Sequence, residues 1–319
     1  MIHAYALEPE LVARWTAHAE YRFIRDKFGL GTPRVMLDVV KFTRWKALVK
    51  KAAENLPLTD LDHTRLTELL KLLSDRRSRR PDREYDSAVS WQENAEREFD
   101  RREFAAVLAT ANPRSHRGVV AGSSLDESDP RWRRDLGASP SRTPEGLTLV
   151  LAPLLVNSQQ IHLIDPHFGP GNARHRKVLE ALLGALDEHG ARPEVFCVHC
   201  GSKMSKVSFE EEARAMAARL PSTQTVSFRR WTARDGGEYL HNRYVLTDLG
   251  GVMLGVGLDE GREAEREGQT DDVLLLPPTQ YERRWSQYAE ANGAFALVDE
   301  PAPVTGSKTA QAHRGGSTR

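Results

Sequence analysis

The sequence predicts a mixed α/β fold, a mostly parallel sheet flanked by helices, with a largely helical N-terminal domain in front of it. Three observations carry this. After Glu145, short apolar runs alternate with stretches of helical length, the pattern of a covered parallel sheet. From Pro9 to about Leu73, apolar residues such as Leu11, Trp15, Tyr21 and Ile24 recur at helical spacing. Between the two lies a stretch, 111–146, rich in Gly, Ser, Pro, Asp and Arg and without any period. The domain boundaries expected from these textures are 1–145, 146–298 and a tail at 299–319.

In chain order, the break at Gly29 to Pro33 separates a first helical stretch from a second over Val35 to Asn55. Thr59 or Asp60 caps a third, through Leu73. Residues 74–86, SDRRSRRPDREYD, read as a solvated linker whose arginines are balanced by Asp82, Glu84 and Asp86. Trp91 to Leu108 reads as helix, and 111–146 as a long loop. In the second half, strands are expected at 161–168, 193–200, 225–231, 238–248, 250–258 and 272–276. Helices are expected from Ala173 to His189, Phe209 to Leu220 and Tyr281 to Ala291. The strands at 238–248 and 250–258 form an antiparallel pair around Leu249-Gly250-Gly251. The tail 301–319 has almost no large apolar residues and is expected to be disordered.

Lysine plus arginine number 45, as do aspartate plus glutamate, so the 319-residue chain has no net pull toward polyanions and any such affinity must be local. The two cysteines, Cys197 and Cys200, make no disulfide framework. Their Cys-x-x-Cys spacing with His199 resembles half a zinc site, but strand alternation puts them on opposite faces, so they are read as structural. No cofactor and no metal are expected. The opening MIHAYALEPELVARW has no basic segment followed by an apolar one, and no run approaches the roughly 18 apolar residues of a membrane span. A cytoplasmic protein with no membrane partner is the expectation.

The densest chemistry lies in His241-Asn242-Arg243-Tyr244-Val245-Leu246-Thr247-Asp248. On a strand, residues two apart share a face, so His241 and Arg243 project together. An imidazole attacks phosphorus or moves a proton near neutral pH, and a guanidinium holds two non-bridging oxygens as charge builds on them. A second segment, Asp165-Pro166-His167-Phe168-Gly169-Pro170-Gly171-Asn172, closes a strand and opens a helix, where ligands of open α/β sheets bind. Arg174, His175, Arg176 and Lys177 follow at once, and Lys203 and Lys206 fall in the corresponding loop of the next strand, giving a basic rim around His241. His167 and Asn172 of the turn join Arg174 and Lys203 as phosphate-binding candidates.

His241, Arg243 and Asp248 match the His-x-Lys-x4-Asp spacing, and over roughly residues 150–298 the sequence resembles the phospholipase D superfamily with a single motif copy. The resemblance implies that His241 is a nucleophile forming a phosphohistidine, that Arg243 is the phosphate clamp, and that Asp271 orients His241. It places Asp259, in Gly255-Val256-Gly257-Leu258-Asp259, where the family has asparagine. Asp248 is structural by its parity. Arginine for the motif lysine, aspartate for asparagine and a missing serine are the departures. The family needs two histidines, so a single motif implies a homodimer. By that likeness the chain is expected to be a metal-independent phosphodiesterase, a nuclease acting on nucleic acid and, by family analogy, on foreign DNA in antiviral defence. The alternative is a binding or assembly subunit that keeps the fold without turnover, with a protein partner on residues 1–145.

Overall fold

A computed structural model of the chain describes residues 1–78, 83–126, 128–262 and 268–309. The chain divides into two compact units, Met1–Ala138 with Leu275–Pro278, and Ser139–Leu274 with the chain from Thr279 on.

The first unit runs β1 (His3–Leu7), α1 (Pro9–Arg14), α2 (His18–Phe28), β2 (Arg34–Leu37), α3 (Phe42–Ala53), α4 (Asp60–Asp75), β3 (Arg77–Ser78), α5 (Trp91–Arg101), β4 (Ala106–Ala109), β5 (Val119–Ala121) and β6 (Gly137–Ala138). Its five-stranded sheet has the order β3-β2-β1-β4-β5, and every pairing is parallel. The expectation of a largely helical domain named no sheet, and one is present. The helices are there, but Val35 to Asn55 holds β2 before α3, and Trp91 to Leu108 holds α5 before β4. A strand buried on both faces shows no two-residue alternation, so four apolar residues beside a helix merge with its period. β2 and β4 are such strands, buried at every position. Helix α4 begins in a capping box: the Thr59 side chain accepts from Asp62 N, and Thr59 N donates back to Asp62 Oδ2. The stretch read as a loop at 111–146 contains β5 and the fully buried Trp132; its Glu127 lies outside the described residues. Of the arginine-rich linker, Arg77–Ser78 form β3, and 79–82 lie outside the described residues.

The second unit runs α6 (Pro144–Leu155), β7 (Gln160–Ile164), α7 (Ala173–Glu188), β8 (Val195–Gly201), α8 (Lys206–Met216), β9 (Thr225–Ala233), β10 (Arg243–Thr247), β11 (Gly250–Leu254), β12 (Val273–Leu275), α9 (Pro278–Tyr288), β13 (Phe295–Asp299) and β14 (Val304–Thr305). The path β13-β9-β8-β7-β10-β11-β12 has a parallel centre, β7 with β8 and β8 with β9. β10 is antiparallel to both β7 and β11. The mixed α/β class is therefore the architecture of the chain, with an all-parallel sheet in the first unit and a mixed sheet around a parallel centre in the second.

Two local expectations change here. The strand expected over 238–248 shrinks to Arg243–Thr247, because the Gly236-Gly237 turn, with Gly236 at φ 67°, precedes it and His241 stays ahead of the strand. The tail is ordered at its start: Val304 and Thr305 pair with Val226 and Thr225 of β9, and Val304 is buried. Backbone bonds from Gly306 N to the Gln224 carbonyl and from Lys308 N to the Leu220 carbonyl, each 3.0 Å, continue the hold beyond it. Residues 310–319, also in the expected disordered tail, lie outside the described residues.

Candidate functional site

Three strand ends meet at one edge of the second sheet. Tyr244 pairs with Ile164 and Arg243 with Leu254, so Asp165 after β7, Arg243 opening β10 and Gly255 after β11 fall together. Helix α7 starts from the same edge through the Asp165–Asn172 turn. Asp165 shapes that turn: its Oδ1 accepts from His167 N at 2.9 Å and its carbonyl from Phe168 N at 3.0 Å. The Asn172 side chain then caps α7 by accepting from Arg174 N at 3.0 Å.

Three aspartates and three arginines fill this edge. Asp165 is buried, and its second oxygen accepts from Leu258 N at 3.0 Å. Asp271 is buried as well; its two oxygens accept from Val256 N at 2.9 Å and Gly257 N at 3.2 Å. These two carboxylates tie the 255–258 loop down by its own amides. Asp259 differs, because both of its oxygens are taken by guanidiniums. Arg142 Nη2 donates to Oδ1 at 2.5 Å, and Arg174 Nη2 pairs with Oδ2. The third arginine, Arg243, keeps Nε 4.0 Å from Asp165 Oδ1, with no hydrogen-bond acceptor for that Nε among the described residues. Gly257 makes the crowding possible: a Cβ there would stand 3.1 Å from Asp165 Oδ2 and 3.2 Å from Asp259 Oδ1. His175, buried under Phe168, lies 3.8 Å from Asp165. Burial lowers its pKa from the ordinary histidine value, with Asp165 and Asp259 pulling the other way.

His241 is exposed and sits two residues before β10. Its Nδ1 lies 3.1 Å from the Tyr239 carbonyl oxygen. That oxygen can only accept, so in the neutral ring Nδ1 carries the proton and Nε2 the lone pair. Asp271 spends its oxygens on loop amides. Asp248 accepts from Gln159 N and Gln160 N at 2.9 and 3.0 Å, at the start of β7 and away from the His241 edge. His167, Asn172 and Lys203 are exposed, and Arg174 is engaged by Asp259 and by the Glu260 carbonyl at 2.7 Å. Asp165 and His175 stand in segments that the sequence marked but were given no role of their own, and Arg142 was not singled out. Asp165 had a usable signal, an acid at the carboxyl end of a strand opening a turn. Arg142 had none, since its partner Asp259 is 117 residues away.

A second cluster, His162, Cys197 and His199, brings one imidazole or thiol atom each within 4.8 Å of one another, all buried. Its hydrogen bonds disfavour a metal. Trp231 Nε1 donates to His199 Nδ1 at 3.1 Å, which leaves the His199 proton on Nε2, 2.9 Å from His162 Nδ1. A metal on His199 Nε2 would need an imidazolate, whereas a ligating histidine normally donates through its other nitrogen. Burial also pushes the Cys197 thiol up to about 11 and lowers His162 to about 4. The cluster is a neutral hydrogen-bonded chain in the sheet. Among the described residues no helix is long and apolar enough to cross a membrane.

The architecture and this edge define an α/β protein with an arginine–aspartate cluster at the ends of its strands. No family model and no curated protein matches the sequence. Among solved structures, the chain is similar to Nuc from Salmonella typhimurium, a phospholipase D family member, at 10% identity and a TM-score of 0.32, over 50% of this chain and 96% of that one. It is also similar to TrmBL2, an archaeal chromatin protein with a novel mode of DNA binding, at 12% identity and a TM-score of 0.27, over 91% and 100% of the two chains. At these scores neither likeness decides what this chain does.

Proposed function

We propose that the chain is a metal-independent phosphodiesterase acting on nucleic acid, with His241 as nucleophile and Arg243 as phosphate clamp. The observation that carries this reading is the His241 imidazole itself: exposed, held at Nδ1 by the Tyr239 carbonyl, with Nε2 open to attack, two residues ahead of a guanidinium at the sheet edge. Nε2 forms a bond to phosphorus as the ester P–O bond breaks, and the leaving oxygen takes a proton from the imidazolium of a second copy. Water then attacks phosphorus, the P–N bond breaks, and the second imidazole takes the water proton. A homodimer is part of this proposal, and a role against foreign nucleic acid is its extension by analogy. Arg243 holds the non-bridging oxygens as their charge grows.

A second reading, a subunit that binds a phosphodiester without cleaving it, draws on a different observation. Asp271, the acid assigned to orient His241, gives both oxygens to backbone amides. One experiment separates the two. Labelled single- and double-stranded DNA and RNA are incubated in EDTA with wild type and His241→Ala, each sized by light scattering. Cleavage by a wild-type dimer, lost in the variant, is the expected result. Binding without cleavage by either protein would replace the enzyme with the binding subunit.

A further inference from the structure

The Arg142–Arg174 pair is a ready-made anion seat, and the chain fills it with its own carboxylate. We infer that Asp259 is the internal occupant of a phosphate site, which a ligand phosphate enters by displacing it. The choice of phosphate as the anion rests on the phosphodiester reading; the seat itself does not.

The argument begins with how the three aspartates are spent. Asp165 and Asp271 each accept from two backbone amides, so removing either unties a turn. No backbone amide donates to the Asp259 carboxylate among the described residues; its partners there are two guanidiniums, on Arg142 and Arg174. It is therefore the one acid of the three whose place another anion can take without loosening the loop. Each arginine, by contrast, has a hold besides that carboxylate. Arg142 Nη1 donates to Gln269 Oε1 at 3.3 Å and its Nη2 also reaches the Asp259 carbonyl oxygen at 3.4 Å, with the side chain 8% exposed. Arg174 stands in the first turn of α7, its Nε donating to the Glu260 carbonyl at 2.7 Å. Two guanidiniums held in this way are preorganised for a tetrahedral oxyanion, which each meets through charge-assisted hydrogen bonds. The seat opens to solvent on the Arg174 side, where that side chain is 34% exposed against 14% for Asp259.

Charge makes the seat selective. Arg142, Arg174 and Arg243 are matched by Asp165, Asp259 and Asp271, so the edge is neutral while Asp259 is in place. Neutralising Asp259 leaves two guanidiniums, one of them nearly buried, without their counter-charge, and a phosphate restores it.

The test compares wild type with Asp259→Asn in the full chain, using inorganic phosphate as probe against chloride at equal ionic strength. Asp259→Asn is expected to melt below wild type in chloride, to recover in phosphate, and to bind phosphate about tenfold or more tighter than wild type by calorimetry. Adding Arg174→Gln to that variant abolishes the recovery. Equal phosphate affinity in wild type and Asp259→Asn, or recovery that persists without Arg174, overturns the inference. Should Asp259→Asn not fold in chloride, refolding from denaturant in phosphate decides: recovery there alone supports the seat, and none in either buffer overturns it. Failure here leaves nucleic-acid cleavage by His241 untouched, and failure of cleavage leaves the phosphate titration readable.

Discussion

At the scale of single residues, two members of the expected site have opposite physical characters. Asp271 is 1% exposed and holds two loop amides, whereas His241 is exposed and touches a single carbonyl. Asp271→Asn keeps one acceptor and turns an NH2 group toward the other amide, so a buried N–H loses its partner, at a cost of about 2 kcal/mol. His241→Ala removes an exposed ring and should change stability by less than about 0.5 kcal/mol. Urea unfolding of the two variants checks both figures, and an Asp271→Asn protein as stable as wild type would mean that the acid does not hold the loop. His241 and Arg243 drew attention through a spacing that is local in the sequence, although only Arg243 lies on the strand. The sequence was misleading about Asp271, since an acid after a glycine-rich turn serves an imidazole or the turn's own amides, and residue spacing does not distinguish the two.

Elements were legible in proportion to how local their signal is. β7 and β8 stood out because each is followed by a helix with its own cap, Asn172 opening α7 and Ser205 opening α8. The sheet of the first unit was hidden, since Arg34–Leu37 and Ala106–Ala109 are buried on both faces and merge with neighbouring helices. α6 is not among the elements expected from the sequence, although Thr143 caps it by accepting from Gly146 N and Pro144 opens it. An apolar run with Pro153 inside it argues against helix until the cap is recognised. Asp248 belongs at this scale too. By accepting from Gln159 N and Gln160 N it ties the end of β10 to the start of β7, fixing the register that brings Asp165 level with Arg243. Asp248→Ala should destabilise the second unit by about 2 kcal/mol through two amides left without their acceptor. Hydrogen exchange at Ile161 to Ile164 reads this directly, and unchanged protection there would show that the strand pairing holds without the aspartate.

For the whole molecule, pH acts through histidines that folding keeps neutral, and each unit has one. In the first unit, burial lowers the pKa of His3 to about 3, helped by the N-terminal ammonium, Arg134 and Arg34. In the second, burial and then Arg229 lower His162 to about 4, and burial holds its neighbour His199 well below the ordinary value. Unfolding returns each ring to water and to its ordinary value of 6.5. The unfolded chain therefore binds more protons below that value, and stability, fully present above it, falls as the solution is acidified toward the folded pKa. Between pH 7 and pH 5, His3 and His162 should each remove about 2 kcal/mol from their own unit. The second unit also carries His199 and His175, whose pKa values are lowered too, and the first carries the Met1 amino group, which burial lowers from 8.0 to about 5. Most carboxylates stay ionised above pH 5, so this window reports on the histidines and, in the first unit, on that amino group as well. Urea unfolding at the two pH values, followed by hydrogen exchange resolved by unit, measures the effect. Equal midpoints at pH 7 and pH 5 would mean that these rings take up protons without unfolding. The neutral hydrogen-bonded chain from Trp231 through His199 to His162 would then not be the arrangement that holds the centre of the second sheet.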